Sequence, residues 1–162
     1  MEDHGSPALR RLLESMPEAV EETHAHLGDA TAVVDRSRIV DALRLLRDDS
    51  DLAFDMLSDV TAVDYLPRKP RFEVVYHLYS IPRNQRVRIK ARVAEDAAQI
   101  ASVVDLYASA NWMEREVWDL YGIRFDGHPD LRRLLLYDEF EGHPLRKDYP
   151  KERRQPLTGP RN

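Results

Sequence analysis

The sequence predicts an α+β domain, a two-layer structure with helices packed on a mixed or antiparallel sheet, followed by an extended irregular C-terminal segment. Three observations predict it. Polarity alternates with a period of two through residues 57–93, apolar residues recur at helical spacing in 36–48 and 111–121, and beyond Asp126 glycine and proline recur too often for either element to persist.

Residues 1–30 read as an N-terminal helical extension. Leu9, Leu12, Leu13 and Met16 share a helical face, Pro17 can open a second short helix, and Gly28 with Asp29 stops it. The core domain is expected over 31–125. Thr31–Val34 is a short strand, and Asp35 caps a helix over Arg36–Asp48 whose apolar stripe is Ile39, Val40, Leu43 and Leu46. Three strands follow. Leu57–Leu66 stops at Pro67; Arg71–Ile81 sets Phe72, Val74, Tyr76 and Leu78 against Glu73, Val75, His77 and Tyr79; and Gln85–Val93 alternates Arg86, Arg88, Lys90 and Arg92 with Val87, Ile89, Ala91 and Val93. Pro82, Arg83 and Asn84 join the last two as a hairpin, whose sheet is half buried with a cationic outer row. Helical spacing returns in Glu95–Ser109, and a further helix from Asn111 through Tyr121 ends at Gly122. Residues 126–162 form the C-terminal docking segment, all turns and extended chain apart from a brief strand at Leu134–Tyr137. Such a tail is either disordered or laid across a partner.

Composition narrows the chemistry. The chain has 162 residues, 43% hydrophobic and 33% charged, enough for one packed core under a soluble surface. Its apolar runs are far shorter than a transmembrane helix needs, and the start lacks the basic and apolar regions of a secretory signal, so a cytosolic chain with no direct membrane span is expected. It contains no cysteine. Disulfides, iron–sulfur clusters and thiolate nucleophiles therefore require other chains. The net charge is −5, which argues against a general affinity for nucleic acid, yet it is unevenly spread. Lys and Arg number 8 against 15 Asp and Glu in residues 1–70, and 8 against 5 in 132–162.

Three groups of residues invite a chemical reading. Glu114, Glu116 and Asp119 beside two tryptophans can be imagined as a general acid/base pair, but on a helix Glu114 and Glu116 diverge, whereas Arg115 and Asp119 stand i,i+4 and can pair, so a structural role is favoured. His128 and His143, each inside a Gly-His-Pro triplet with Asp130, Asp138 and Glu141 nearby, suggest a metal-dependent hydrolase. Irregular chain separates them without a metal-binding spacing, and turn or interface histidines are favoured. The Arg86–Arg92 row beside Tyr76 and Tyr79 suggests an RNA-binding sheet, but Tyr76 falls in the apolar phase, and a solvated or protein-docking row is favoured.

Residues 111–150, with the core Glu114-Arg115-Glu116, Asp119-Leu120-Tyr121-Gly122-Ile123, Phe125, Gly127-His128-Pro129-Asp130-Leu131-Arg132-Arg133 and then His143-Pro144, closely resemble the signature of the 30-kDa subunit of respiratory complex I, also called its C-type subunit. The resemblance extends upstream through Asp59–Tyr65, Arg71–His77 and Arg86–Lys90, covering about residues 31–150. It implies a non-catalytic structural or assembly subunit in the hydrophilic arm of a proton-translocating NADH:quinone oxidoreductase. The family resemblance places FMN, iron–sulfur clusters and quinone in partner subunits. It also implies packing against the 49-kDa-like subunit, close to the cluster-bearing subunit beside the quinone site, and peripheral attachment on the cytoplasmic side of the inner membrane. Glu114, Arg115, Glu116, Asp119, Gly122, Gly127, His128, Pro129, Arg132, Arg133, His143, Pro144, Arg146 and Lys147 carry over as signature residues for fold and assembly; none carries over as catalytic, metal-binding or cofactor-binding. Arg132, Arg133, Arg146 and Lys147 are expected to meet carboxylates on another protein. Many relatives continue beyond Lys147-Asp148-Tyr149-Pro150, so a long wrapping tail is expected to be absent here or supplied by another chain. The same core also resembles subunits of energy-converting hydrogenases, of dehydrogenases using a reduced deazaflavin coenzyme, and of the ferredoxin-linked photosynthetic complex.

Overall fold

A computed structural model describes residues 1–153 and 155. Five strands, β1 (Val20–His24), β2 (Thr31–Val34), β3 (Met56–Asp64), β4 (Phe72–Ser80) and β5 (Gln85–Val93), form one sheet in the order β1-β2-β5-β4-β3. The β2-β5 pair is parallel and the other pairs are antiparallel, so the sheet is mixed. Its longest ladder is the β4-β5 hairpin, in register from Phe72 opposite Val93 to Ser80 opposite Gln85.

Three helices, α1 (Pro7–Ser15), α2 (Ile39–Asp48) and α3 (Ala110–Tyr121), join one core cluster with one face of that sheet. Leu9 and Leu12 from α1, Ile39, Leu43 and Leu46 from α2, and Val117 from α3 meet Phe72, Val74, Tyr76 and Leu78 of β4. The burial of these side chains is the main stabilising contribution, at about 1.5–3 kcal/mol for each large one. Asp35 accepts from the Ser37 N–H, as a cap should, but the first turn after it is a 3₁₀ turn and α2 proper begins at Ile39.

Three expectations need correction. Pro17 opens only a single 3₁₀ turn, and Val20–His24 is a strand rather than a helix, drawn into the sheet by backbone pairing with β2 and by Arg92 meeting Glu21 and Glu22. The residues before β1 are equally bound in, since Ala8, Leu9 and Leu12 are buried. Glu95–Ser109 is not helical. Its apolar residues serve a short strand, β6 (Gln99–Ala101), parallel to β7 (Arg124–Asp126), while Arg36 takes the Ala97 carbonyl that a helix would have used. Leu134–Tyr137 is not a strand, because the Asp119 carboxylate takes the N–H groups of Leu134, Leu135 and Leu136.

The outer face of the sheet does carry the cationic row of β5, but carboxylates answer it. Lys90 and Arg92 lie at 3.2 and 3.7 Å from buried Glu73, Arg92 also meets Glu21 and Glu22, and Arg88 meets Asp29 at 2.8 Å. A face so compensated offers little attraction to a polyanion.

Candidate docking site

The signature residues lie on α3 and on the segment that returns along it. Gly122 makes the reversal. Its φ of +73° closes the helix in the left-handed region, and a Cβ there would lie 2.5 Å from the His143 ring. Glycine is therefore required twice, by backbone conformation and by the tail's close approach. Gly127 (φ +84°) makes the following turn into His128 and Pro129.

From there the chain runs beside the helix, and the helix holds it almost entirely by its backbone. His128 donates from Nε2 to the Asn111 carbonyl at 3.0 Å and accepts the Asp130 N–H on Nδ1 at 3.0 Å, an arrangement that fits one neutral tautomer. Arg115 donates to the carbonyls of Arg132 and Arg133 at 3.1 and 3.0 Å, while its guanidinium stacks on Trp112. Asp119, fully buried, accepts Arg133 Nη1 at 2.7 Å and the N–H groups of Leu134, Leu135 and Leu136 at 3.1, 2.9 and 3.0 Å. The expected Arg115–Asp119 pair does not form, because each reaches outward to the tail instead. Past the next turn, His143 Nδ1 donates to the Asp119 carbonyl at 2.9 Å, Leu145 N–H to Leu120 at 3.1 Å and Arg146 Nε to Tyr121 at 2.6 Å. The end of α3, where carbonyls lack helical partners, is capped by its own tail.

The electrostatics follow from burial and donors. For Asp119 burial alone would raise the pKa, but the N–H groups and Arg133 together outweigh it and hold the carboxyl below its usual value. For Glu114, also fully buried, no cation intervenes among the described residues. Ser102 Oγ–H (2.6 Å) and the Val103 N–H (2.7 Å) are its partners, and desolvation pushes it up to about 7. Glu114 thus ties α3 to the strand pair β6-β7. Burial holds the His143 imidazole below its usual pKa, favouring the neutral ring.

A second fastening was not anticipated from the sequence. Arg71, buried at the start of β4, donates Nε and Nη2 to both oxygens of Asp64 at 3.0 and 2.7 Å, both terminal nitrogens to Asp148 at 3.0 and 2.6 Å, and Nη1 to Glu95 at 2.5 Å. Asp64 also accepts the Lys147 N–H at 2.8 Å, and the Arg71 guanidinium holds it well below the usual carboxylate range. Residues 147–148 are thereby clipped to the sheet. One signal existed: Asp64 occupies the inward phase of a strand set by Val60 and Ala62, a place where a carboxylate needs a partner.

The remaining signature residues are placed differently. Glu116 is exposed; Arg132 is exposed and paired with Asp130 at 2.9 Å; Pro144 is half-buried; and Lys147 is exposed. Arg133 and Arg146 are engaged within the chain, so of the four cations expected to meet another protein only Arg132 and Lys147 face outward. His128 and His143 bind the backbone at Asn111 and Asp119, eight helical residues or about 12 Å apart, and do not converge on a metal site.

Residues 32–155 match the family model for the respiratory-chain NADH dehydrogenase, 30 Kd subunit. The C-type subunit of NADH-quinone oxidoreductase from Hyphomonas neptunium is 51% identical over 135 residues, which cover 83% of this chain and 66% of the relative. Its counterpart in Geotalea uraniireducens is 45% identical over 154 residues, covering 94% and 93%. Among solved structures, a trypsin-resistant fragment (1-134) of Nqo5 superposes with a TM-score of 0.66 at 36% identity, covering 76% of this chain and 99% of the fragment. A chain of the membrane-bound sulfane sulfur reductase, an archaeal respiratory membrane complex, superposes at 0.78 with 27% identity, covering 91% and 86%.

Proposed function

Because this chain belongs to the respiratory-chain NADH dehydrogenase 30 Kd subunit family, we propose that it acts as a structural subunit of the hydrophilic arm of an NADH:quinone oxidoreductase, with no active site of its own. One observation carries the structural part: the charged signature side chains Arg115, Asp119 and Arg133, with His128 and His143, are spent on holding backbone, which is the work of shaping a surface rather than of turning over a substrate. FMN, iron–sulfur clusters and quinone then belong to partner subunits. The 49-kDa-like subunit and the cluster-bearing subunit beside the quinone site are the neighbours this reading assigns to it. Attachment is peripheral, on the cytoplasmic side of the inner membrane. Among the described residues no helix is long and apolar enough to cross a membrane, which is consistent with attachment through other subunits.

The test is to purify the complex through a tag on this chain, with Asp119→Ala in parallel. Loss of assembled complex, with unchanged NADH:quinone turnover per bound flavin in what does assemble, is the expected result. A fall in turnover per flavin at full assembly would assign the residue to the chemistry and refute the structural reading.

A further inference from the structure

The end of the sheet far from Arg71 and the tail carries a feature that the signature does not explain. Here β2, β3 and β5 begin and β4 ends, and a cleft of about 730 Å³ opens on the outer face. Met56, Tyr79 and the backbone around Leu78 and Val87 help to line it; its polar lining includes Arg86, Arg88, His77 and Asp59. The volume lies within the range of ordinary binding sites.

Three exposed apolar side chains flank this cleft: Leu27 in the turn before β2, Met56 at the start of β3 and Ile81 just past β4. Leu27 is wholly exposed and adopts φ of +56°, followed by Gly28 at +84°. For a leucine the left-handed conformation costs roughly 1–2 kcal/mol, and it leads the chain so that Asp29 reaches Arg88 at 2.8 Å. A strained turn that holds a leucine in water is explained if the leucine is covered in use.

The charges say what covers it. Arg88 is satisfied by Asp29 and by His77 Nε2 at 3.0 Å, and His77 in turn faces Asp59 at 3.6 Å. Arg86 stacks over the Tyr79 ring and has no ion pair among the described residues. One cation in the cleft is thus uncompensated. Asp51 and Asp55, on the exposed loop beside Ile81 and Arg83, make this end unwelcoming to an anionic lipid surface. Leu27 and Ile81 also stand outside the lining, beyond a small ligand's contacts.

We propose that this cleft is a second docking site, which takes a segment of another subunit carrying one aspartate or glutamate for Arg86 flanked by large apolar side chains that cover Leu27, Met56 and Ile81. The proposal rests on the reading of the chain as a subunit of a complex.

The test uses the intact complex, isolated through a tag on this chain with p-benzoylphenylalanine in place of Leu27. Illumination is expected to join position 27 to another subunit, at a peptide containing Asp or Glu within a few residues of the adduct, and Arg86→Glu should lower the yield about tenfold. The proposal is overturned if the complex co-purifies but position 27 yields no protein adduct, joins lipid or a second copy of this chain, joins a segment without a carboxylate, or gives a yield indifferent to Arg86→Glu. Failure of other subunits to co-purify at all would instead refute the subunit reading, and this proposal with it.

Discussion

Replacing Gly122 with alanine probes the junction on which the tail depends. Alanine at φ of +73° costs about 1–2 kcal/mol. Its Cβ would lie 2.5 Å from Cδ2 and Nε2 of His143 and 2.9 Å from Nη2 of Arg146, so both side chains must shift. That shift weakens the hydrogen bonds from His143 to Asp119 and from Arg146 to Tyr121, worth about 1 kcal/mol for the first and about 1.5–3 kcal/mol for the charged one. A total loss of up to about 3.5–6 kcal/mol is expected in urea unfolding followed by the fluorescence of Trp112 and Trp118, both on α3. The two causes separate in a double-mutant cycle. In a His143→Ala background the imidazole is gone but Arg146 remains in the way, so Gly122→Ala should still cost its backbone penalty and the Arg146 bond, leaving a coupling of about 1 kcal/mol with His143. Additivity to within about 0.5 kcal/mol would refute the close-packing argument.

Further outcomes follow from the buried charges. Asp119→Ala leaves Arg133 and three amide groups without their acceptor and should destabilise by about 3–5 kcal/mol, read by the same unfolding curves. Arg71→Met strands Asp64 inside the fold and releases Asp148; trypsin is expected to cut after Lys147 and Lys151 faster than in the wild type, while equal rates would refute the clip. Glu114 gives a pH dependence of fixed sign. Its folded pKa, about 7, lies above its ordinary 4.5, so the folded state holds the extra proton and stability falls as pH rises between those values. At 1.36 kcal/mol per pH unit the fall is at most about 3 kcal/mol. Glu114→Gln, which keeps an acceptor for Val103, should flatten that limb, and an unchanged slope would refute the assignment. On the acid side Asp64 and Asp119, both held low, take stability away as pH drops below 3.8.

What was legible in the sequence follows what is local. The β4-β5 hairpin and helices α2 and α3 announce themselves because alternation and helical spacing are imposed by the face each buries. Strand β1 does not, since its single fully buried residue is Val20 and its place is fixed by backbone pairing with β2 and by an arginine some seventy residues away. The 95–109 segment misleads because Ile100, Ala101 and Val104 fit a helical spacing that the pairing with β7 overrides. At the candidate site the signature identified the residues but not their partners. The i,i+4 rule favours an Arg115–Asp119 pair, whereas the tail offers Asp119 four donors, and no helical periodicity encodes a contact made across a turn.

That preference for the tail bears on how such a subunit would bind. A segment rich in glycine and proline that ordered only on a partner would carry its ordering entropy into the association, at about 1–2 kcal/mol for each residue fixed. Here the residues from His128 to Asp148 are fastened at five points of α3 and at Arg71 of the sheet, all within one chain. The ordering cost is met during folding. Exposed Trp112, braced by Arg115, and exposed Leu135, whose amide is held by Asp119, are then presented already in place, which leaves more of their contact energy to a neighbouring subunit. The buried charges of the signature act on a partner through this preorganisation, and their removal should weaken association even where no deleted atom touches the partner.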